Sequence, residues 1–429
     1  MSSEWGRTTL GAVTTWISGG TPKKDVHVYW NGDIPWISAN SMQGTRFQDS
    51  DLKITAEGLS NGSRLAPVES VLLLVRGGAL HSRIPVGIAT REVAFNQDVK
   101  AIVSKPGVIS PWYLLFWLMG QESFLLGNVV EYTGIGAGKL DTKRMQSLPL
   151  LLPSIEEQNA IVELVKSLDD RITLLRETNA TLEAIAQALF KSWFVDFDPV
   201  RAKMAGRAPD GMDEATAALF SDSFEESELG LVPKGWRVGA LSEFAVLNPE
   251  SWTAKKHPRT VAYIDLANAK NNEVAEITSY AFDEAPSRAR RVLRSGDTIV
   301  GTVRPGNRSF AFIYNASSNL TGSTGFAVLR PVEPESTEFV YLSATQDSAI
   351  EHFAHVADGG AYPAVRPEVV VGIRSVLPSN EVMKAFHDVT APLLALIGEN
   401  QLQAQTLATL RDTLLPRLIS GQLRLPEAA

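Results

Sequence analysis

The chain contains no cysteine among its 429 residues. Disulfides, thiolate metal sites and cysteine nucleophiles are therefore excluded, and the absence fits a reducing cytoplasm. The N-terminal stretch MSSEWGRTTLG lacks the basic region and apolar stretch of a signal peptide. The longest apolar runs, such as residues 112–120, are too short to span a bilayer. We therefore expect a cytoplasmic protein without a membrane partner.

Motifs for catalysis are also scarce. The segment TGIGAGKL (residues 133–140) is only partly similar to a phosphate loop, because the glycine six positions before Lys139 is missing and Leu140 replaces the hydroxyl residue. The six histidines show no metal-ligand spacing, and the chain has no Pro-Pro pair of the kind a methyltransferase site would need. We therefore expect no metal, cofactor or catalytic residue on this chain.

One carboxylate–x–lysine triplet keeps an enzymatic alternative open. Asp98 and Lys100 lie on a strand-like run, and such a pair can serve a metal-dependent nuclease. The second half of the chain has no equivalent pair, so a solvated strand edge is the favoured interpretation. A coiled-coil adaptor without a DNA role is a further alternative.

The net charge of −8 is unevenly distributed. Residues 1–150 carry a net +2 and residues 231–377 are neutral, whereas residues 151–230 carry −9. Because salt screens charges beyond about 8–10 Å, local charge decides binding at contact range. The two larger segments remain able to bind an anion such as nucleic acid.

The sequence also contains two copies of one order of structural elements. Residues 134–158 align with residues 359–383 at a shift of 225, and the segment LLLVRGG (72–78) aligns with VGTVRPG (300–306). Each copy combines short strand-like runs, including residues 99–104 and 325–331, with a long helix. We expect an α+β fold with two tandem α/β domains separated and joined by two long antiparallel coiled-coil helices. The predicted parts are a first domain (1–152), a first long helix (153–198), an acidic linker (199–230), a second domain (231–377), a second long helix (378–423) and a tail (424–429).

Both predicted helices carry apolar residues at alternating steps of four and three, which is typical of a seam packed against a partner helix. The first seam comprises Ile161, Val165, Leu168, Ile172, Leu175, Asn179, Leu182, Ala186, Leu189 and Trp193. The second comprises Phe386, Thr390, Leu393, Ile397, Asn400, Ala404, Leu407, Arg411, Leu414 and Leu418. We expect the helices to pair with each other, with a kink at Pro392. Packing as separate members of a helix bundle is the alternative.

Arginine is concentrated in the second copy. Its fork-shaped guanidinium suits phosphate and guanine, although a solvated, ion-paired face is the alternative. The predicted nucleic-acid contacts there are Arg288, Arg290, Arg291, Arg304, Arg308 and Tyr362. Weaker candidates in the first copy are Trp36, Ser38, Asn40, Ser41, Arg76, His81, Arg83 and Lys139.

An aromatic cluster ends the first long helix in the segment QALFKSWFVDFDPVRAKMAG (187–206). Trp193 continues the seam, whereas Phe190, Phe194 and Phe197 lie outside the seam positions. These three side chains need another cover, because exposed aromatics in a cluster usually mark an interface. The cover is either the second domain of this chain or a partner protein.

The chain resembles the specificity subunit of type I restriction–modification enzymes. The resemblance spans nearly the whole length and is carried by GGTP (19–22), IPWISANSM (34–42), LPLLLPSIEEQNAIVELVKSLDDRI (148–172), LFKSWFVDFDPVRAKMAGR (189–207) and LRDTLLPRLISGQL (410–423). It implies two domains that each recognise half of a split site in double-stranded DNA, and helices that set the gap between the halves.

The resemblance also implies partners. The helical regions would hold two methyltransferase subunits, and endonuclease/translocase subunits would join the complex. S-adenosylmethionine, ATP and Mg²⁺ would be used by those partners in a prokaryotic cytoplasm, while this chain itself is not catalytic. The family fixes no base-contacting positions, so the candidate DNA contacts stand on residue chemistry alone.

Overall fold

The structure of the protein is a computed structural model that describes residues 5–132 and 137–425. The described chain divides into two compact units. Unit 1 combines the residues up to Leu174 with those from Gln403 onward, and unit 2 is the segment Leu175–Leu402. Each unit therefore contains an α/β region and part of both long helices. The first four residues of TGIGAGKL, which include Gly134 at the start of the aligned repeat, lie outside the described residues.

Unit 1 is built mainly from short strands, with a few helices between them and part of the long helices at its end. Its strands are β1 (Gly6–Thr9), β2 (Thr14–Ser18), β3 (Trp30–Ile37), β4 (Arg46–Phe47), β5 (Lys53–Ile54), β6 (Leu65–Ala66), β7 (Val71–Leu74), β8 (Arg76–Gly77), β9 (Val86–Ala89), β10 (Val93–Phe95), β11 (Val99–Ser104), β12 (Val130–Tyr132), β13 (Gly138–Leu140) and β14 (Pro149–Leu152). Its helices are α1 (Ala56–Gly62), α2 (Pro111–Gly120), α3 (Glu122–Asn128), α4 (Thr142–Gln146) and the first half of α5 (Ile155–Phe194).

Unit 2 follows the same plan after the linker, which itself forms two short helices and a strand. The strands of this unit are β15 (Phe224–Ser227), β16 (Gly230–Pro233), β17 (Arg237–Ala240), β18 (Ala245–Leu247), β19 (Thr260–Ile264), β20 (Ala269–Lys270), β21 (Glu273–Val274), β22 (Thr278–Ala281), β23 (Ala289–Val292), β24 (Thr298–Gly301), β25 (Phe310–Phe312), β26 (Leu320–Ser323), β27 (Phe326–Pro331) and β28 (Arg374–Leu377). Its further helices are α6 (Asp198–Met204), α7 (Glu214–Ala218), α8 (Thr337–Thr345), α9 (Asp347–Val356), α10 (Pro367–Val371) and the first half of α11 (Asn380–Ile419).

The two units share their strand order. The order β2-β11-β7-β9 in unit 1 corresponds to β18-β27-β24-β25 in unit 2, and β5-β3-β10-β6 corresponds to β22-β19-β26-β23. In the latter two sheets the central pair is parallel, β3 with β10 and β19 with β26. The internal repeat predicted from weakly similar residues is therefore confirmed by topology.

Both long helices are 40 residues in length. The predicted capping box starts α5: Ser154 Oγ accepts from the Glu157 amide at 3.2 Å, and Glu157 accepts in return from the Ser154 amide at 3.1 Å. Helix α11 continues through Pro392 and Pro416 without interruption. Every position of the two predicted seams is buried or half-buried.

Each unit packs its own parts of the two helices into its core. In unit 1, Ile161 and Val165 of α5 belong to the same buried cluster as Leu415 and Leu418 of α11. In unit 2, the later residues of α5 meet the earlier residues of α11, and Trp193 lies 5.5 Å from Phe386 between ring centroids. Within each unit the helices thus run in opposite directions.

The aromatic cluster at the end of α5 is covered by unit 2 itself. Phe190, Trp193, Phe194 and Phe197 are each between 2% and 7% exposed. Phe194 packs edge-on against Phe386 at 4.8 Å and Phe339 at 5.1 Å. Phe197 is a non-glycine residue with a left-handed backbone (φ 57°), which ends α5 and starts α6. The alternative in which a partner protein covers these four rings is wrong, because unit 2 itself buries them.

Candidate nucleic-acid interface

The predicted contacts of unit 1 gather where several strands end. Parallel strands β3 and β10 both end at the same edge of their sheet, and the loops that follow contain Ser38 and Asn96. The end of β7 reaches this edge too, because the Val75 amide donates to Asp98 O at 2.8 Å. Loops at the carboxyl ends of parallel strands are common binding positions, since the sheet holds them rigidly. We call residues 38–41, 75–77 and 96–98 the edge loops of unit 1.

Unit 2 forms the same arrangement. Its edge loops are residues 265–268 after β19, 302–304 after β24 and 323–325 after β26. The Thr302 amide donates to Gly325 O at 2.8 Å, and the Thr324 amide donates to Arg288 O at 2.8 Å. These bonds bring Arg288 and Arg304, predicted separately, to one edge of unit 2.

The hydrogen-bond register corrects one detail of the repeat alignment. Val75 and Thr302 occupy equivalent positions, because each donates to the residue just before the equivalent strands β11 and β27. Arg304 therefore corresponds to Gly77, and the sequence pairing of Arg304 with Arg76 is wrong by one residue. Both Gly77 (φ 155°) and Arg304 (φ 49°) have positive φ and precede a short 3-10 turn. Glycine tolerates such a backbone, whereas arginine is rare there.

The residues after β3 divide into structural and exposed ones. Trp36 is only 4% exposed, and its indole Nε1 donates to Gly20 O at 3.1 Å. It packs inside the sheet and is unsuited to DNA contact, contrary to the prediction. Ser38 and Ser41 cap the 3-10 turn between them, with the Ser38 amide donating to Ser41 Oγ at 2.9 Å. Asn40 is exposed at the tip of the turn.

Two cations stand side by side at the edge of unit 1. Arg76 on β8 lies directly opposite Lys139 on β13, so the two side chains share one face. A third cation, Lys100, is close enough that its pKa is lowered, first by burial and then by the charge of Arg76. His81 stacks on Tyr132 with ring centroids 4.9 Å apart, and Arg83 donates to Met42 O at 3.3 Å. The edge of unit 1 is therefore locally positive.

Three of the six arginines between residues 288 and 308 are bound to carboxylates. Arg288 contacts Asp265 at 2.6 Å, Arg294 contacts Glu250 at 3.0 Å and Arg308 contacts Asp347 at 2.6 Å. Hydrogen bonds from Arg294 and Arg330 lower the pKa of Glu250 to about 2, although burial opposes the shift. Burial alone would raise the pKa of Asp265, but hydrogen bonds from the Ala267 amide and the Tyr263 hydroxyl, and the charge of Arg288, lower it. The ion-paired alternative considered for this cluster holds for these three arginines.

The other three arginines have different partners. The guanidinium of Arg290 lies 4.7 Å from the Phe282 ring centre, and that of Arg304 lies 4.5 Å from the Tyr362 ring centre. Arg291 approaches Ser251 Oγ at 3.5 Å, and burial lowers its pKa. Within the described residues, none of the three has a carboxylate at ion-pair distance. Their charge remains available for a phosphate or a base.

A basic loop was missed by the sequence reasoning. Lys255, Lys256 and Arg259 are exposed in the segment KKHPR that precedes β19. The loop is fixed to the sheet, because the Trp252 amide donates to Arg290 O at 2.8 Å and His257 stacks on Phe282 at 3.8 Å. The sequence does show four basic residues among the five of this segment. Only the packing, however, shows that they lie near Arg290.

The nuclease alternative gains no support from the geometry. Lys100 Nζ donates to Ser18 Oγ at 2.6 Å, and the Asp98 carboxylate accepts a long bond of 3.4 Å from the neighbouring Gln97. Across residues 5–132 and 137–425, no three His, Asp or Glu side chains are grouped to hold a metal ion. The pair thus lacks the further carboxylates that a metal-dependent nuclease uses.

Known specificity proteins share sequence similarity with this chain. Residues 2–184 match the model of the type I restriction modification DNA specificity domain. The chain is 24% identical to the type I restriction enzyme MjaIX specificity subunit of Methanocaldococcus jannaschii, over 95% of this chain and 91% of that protein. It is 25% identical to the HindI specificity subunit of Haemophilus influenzae, over 98% and 100% respectively. The chain is therefore similar to type I specificity subunits over nearly its whole length.

A solved structure has a similar fold. The crystal structure of a type I restriction–modification S subunit from M. genitalium matches with a TM-score of 0.52 at 12% identity, covering 97% of this chain and 96% of that one. At this identity the likeness concerns the fold alone. None of the helices in the described part of the chain has the length and apolarity needed to cross a membrane.

Proposed function

We infer that the chain is the DNA-recognising specificity subunit of a type I restriction–modification complex and is not itself catalytic. One observation carries the inference most directly: two units with the same strand order present exposed polar and basic side chains at equivalent edge loops. Two similar recognition surfaces on one chain suit a split site, with one half-site for each unit. Sequence specificity then comes from side chains that contact base edges, and orientation from contacts to phosphates.

The long helices would set the spacing of the half-sites. A helix of 40 residues extends about 60 Å at 1.5 Å per residue. This length exceeds one turn of B-DNA, about 34–36 Å, so such helices are long enough to hold two contacts separated by more than a turn.

The same helices offer surface to protein partners. Apolar side chains more than 40% exposed occur along both, including Leu174 and Ile185 on α5 and Leu396 and Leu410 on α11. Exposed apolar residues that form a contiguous patch on a surface mark a contact with another protein. We propose that two methyltransferase subunits bind there, that endonuclease/translocase subunits join them in a prokaryotic cytoplasm, and that these partners use S-adenosylmethionine, ATP and Mg²⁺.

The decisive experiment is to express the chain with its methyltransferase subunits in cells that lack adenine methylation, and to map the methylated adenines. We expect a single bipartite motif with one methylated adenine in each half. Replacing Arg290, Arg291 and Arg304 together with Ala should reduce methylation at that motif. Methylation without a bipartite motif, or DNA cleavage by the purified chain alone that is abolished in Asp98→Ala, would overturn the proposal.

A further inference from the structure

The side chains of Arg304 and Tyr362 form a cation–π contact at the edge of unit 2. Arg304 follows β24, and the loop that carries Tyr362 is joined to it by two hydrogen bonds: the Arg304 amide donates to Pro363 O at 2.7 Å, and Arg304 Nη2 donates to Ala361 O at 2.8 Å. The guanidinium therefore lies over the Tyr362 ring, 4.5 Å from its centre. We propose that Arg304, oriented by Tyr362, recognises a guanine in the half-site of unit 2, an inference that rests on the proposed function.

Exposure distinguishes this pair from an ordinary core contact. Tyr362 is 71% exposed, and Arg304 is exposed as well. An exposed aromatic ring contributes little hydrophobic stabilisation to its own chain. We therefore assign the Tyr362 ring the role of holding the Arg304 guanidinium in one plane. A guanidinium that is already oriented loses less side-chain freedom when it binds.

The backbone conformation of Arg304 also supports a functional role for this residue. Arg304 has φ 49° and ψ 60°, a left-handed conformation that is unusual for arginine. Unfavourable backbone conformations occur preferentially at functional sites, where the surrounding structure enforces them. The equivalent position in unit 1 is Gly77, which has no side chain to present. Unit 1 must therefore recognise its half-site with other residues.

Arg308 provides a comparison within the same turn. It follows the 3-10 turn Pro305–Asn307 that Arg304 precedes, and its backbone is also left-handed, with φ 59°. Its guanidinium, however, is used inside unit 2: Nη1 contacts Asp347 at 2.6 Å and Nε donates to Asn271 Oδ1 at 2.8 Å. We assign Arg308 to holding the turn and remove it from the predicted DNA contacts.

The chemistry selects guanine among the bases. Arginine has five N–H donors and no acceptor, and Ala361 O uses one of the donors. Two parallel donors remain on the fork, and guanine offers the two matching acceptors, N7 and O6, in the major groove. Adenine presents a donor beside N7, so it cannot accept both bonds. A phosphate would also accept them, and the experiment must separate these two ligands.

The test compares matched arginine-to-lysine substitutions in the full chain assembled with its methyltransferase subunits. Arg304→Lys keeps the charge and loses the fork, Arg304→Ala loses both, and Arg308→Lys is the control in the same turn. Each complex is used to select from a duplex library randomised over both half-sites, and its affinity is measured at several salt concentrations. Thermal unfolding of each variant checks that the loop remains folded.

We expect the unaltered complex to prefer guanine at one position of one half-site by about 5- to 150-fold, and both Arg304 variants to lose that preference at that position alone. Arg308→Lys and Tyr362→Phe should retain it, whereas Tyr362→Ala should weaken it. An equal decrease of affinity for all sequences, with retention in Arg304→Lys, would identify a phosphate contact and overturn the inference. Unchanged selection by Arg304→Ala would overturn it too. If the unaltered complex selects no motif, the proposed function itself fails.

Discussion

Asn400 of α11 donates through Nδ2 to Oδ1 of Asn179 on α5, at 2.9 Å. Asn179 in turn donates to the Ile397 carbonyl at 3.2 Å. These residues are the single asparagines of the two heptad seams, and within unit 2 they meet each other. A buried polar pair of this kind favours one register of two helices over its alternatives, at some cost in stability.

This pairing predicts unequal effects of single and double substitutions. Asn400→Leu alone should destabilise the protein by about 1–3 kcal/mol, because it leaves the half-buried Asn179 amide without one partner. Asn179→Leu combined with Asn400→Leu should recover most of that stability, since no unsatisfied amide remains. Urea unfolding measures both changes, with the exposed neighbour Glu399→Ala as control. Additive effects in the double variant would show that the two amides act independently.

A second polar contact joins the helices in unit 1. Asp169 of α5 is 1% exposed and accepts from Arg411 Nη1 and from Thr45 Oγ1, each at 2.8 Å. Arg411 occupies a seam position where an apolar residue is expected, and its charge is compensated by this carboxylate. The contact also connects the helix pair to the loop before β4.

Removing Asp169 should therefore be costly. We expect Asp169→Ala to destabilise unit 1 by about 3–5 kcal/mol, because the largely buried Arg411 would lose one of its two carboxylate partners and Arg46 would lose a carboxylate as well. Asp170→Ala removes the adjacent, exposed carboxylate and should cost no more than about 1 kcal/mol. Denaturant unfolding of both variants gives the comparison. Equal destabilisation would mean that the buried position of Asp169 has no special role.

The seams could be predicted because heptad spacing is a local pattern repeated many times. The same is true of the capping box at Ser154, which involves residues three positions apart. Arginine partners could not be predicted in this way. Arg294 and Arg308 bind Glu250 and Asp347, which lie 44 and 39 residues away along the chain. Only the tertiary packing of unit 2 brings them together, and weak similarity between the repeats did not specify it.

The sequence indicated which residue types could contact DNA, but it did not show which of them lie together on an exposed surface. Trp36 looked like an exposed aromatic beside polar residues, but the cross-strand packing of β3 buries it. The role of Arg304 as a DNA contact stays a prediction, and its equivalence to unit 1 was shifted by one residue. A gain or loss of one residue in a loop leaves a sequence alignment almost unchanged, while hydrogen bonds between strands reveal it.

The aromatic cluster of unit 2 should behave as core. Phe194→Ala removes a ring packed against Phe339, Phe386 and Trp236, and we expect it to destabilise unit 2 by about 3–5 kcal/mol. The exposed neighbour Val195→Ala should change stability by less than about 0.5 kcal/mol. Thermal unfolding of the chain without partner subunits is the measurement. An unaffected isolated chain that fails only to assemble would restore the partner-docking interpretation.

Acid should weaken the contact between Glu250 and its two arginines. The pKa of Glu250 is lowered from 4.5 to about 2 by hydrogen bonds from Arg294 and Arg330. A lowered carboxyl pKa adds stability above the unfolded-state value, and that stability disappears as pH falls from about 4.5 toward 2. Glu250→Gln should therefore be less stable than the unaltered chain at pH 6, with a difference that shrinks below pH 4.5. Urea midpoints across this range test it, with exposed Glu335→Gln as control. A difference that stays constant with pH would contradict the assignment.

The basic loop before β19 should contribute affinity without sequence preference. Lys255, Lys256 and Arg259 are exposed cations on a loop anchored beside Arg290, and flexible lysines suit phosphates better than base edges. Replacing all three with Ala should weaken binding to every sequence and reduce the slope of log Kd against log salt by about one for each phosphate that is no longer neutralised. Arg237→Ala, whose side chain is paired with Glu243, should leave the slope unchanged. If the triple variant instead altered the preferred base at one position, the loop would be part of the recognition surface, and its assignment to phosphate binding would be wrong.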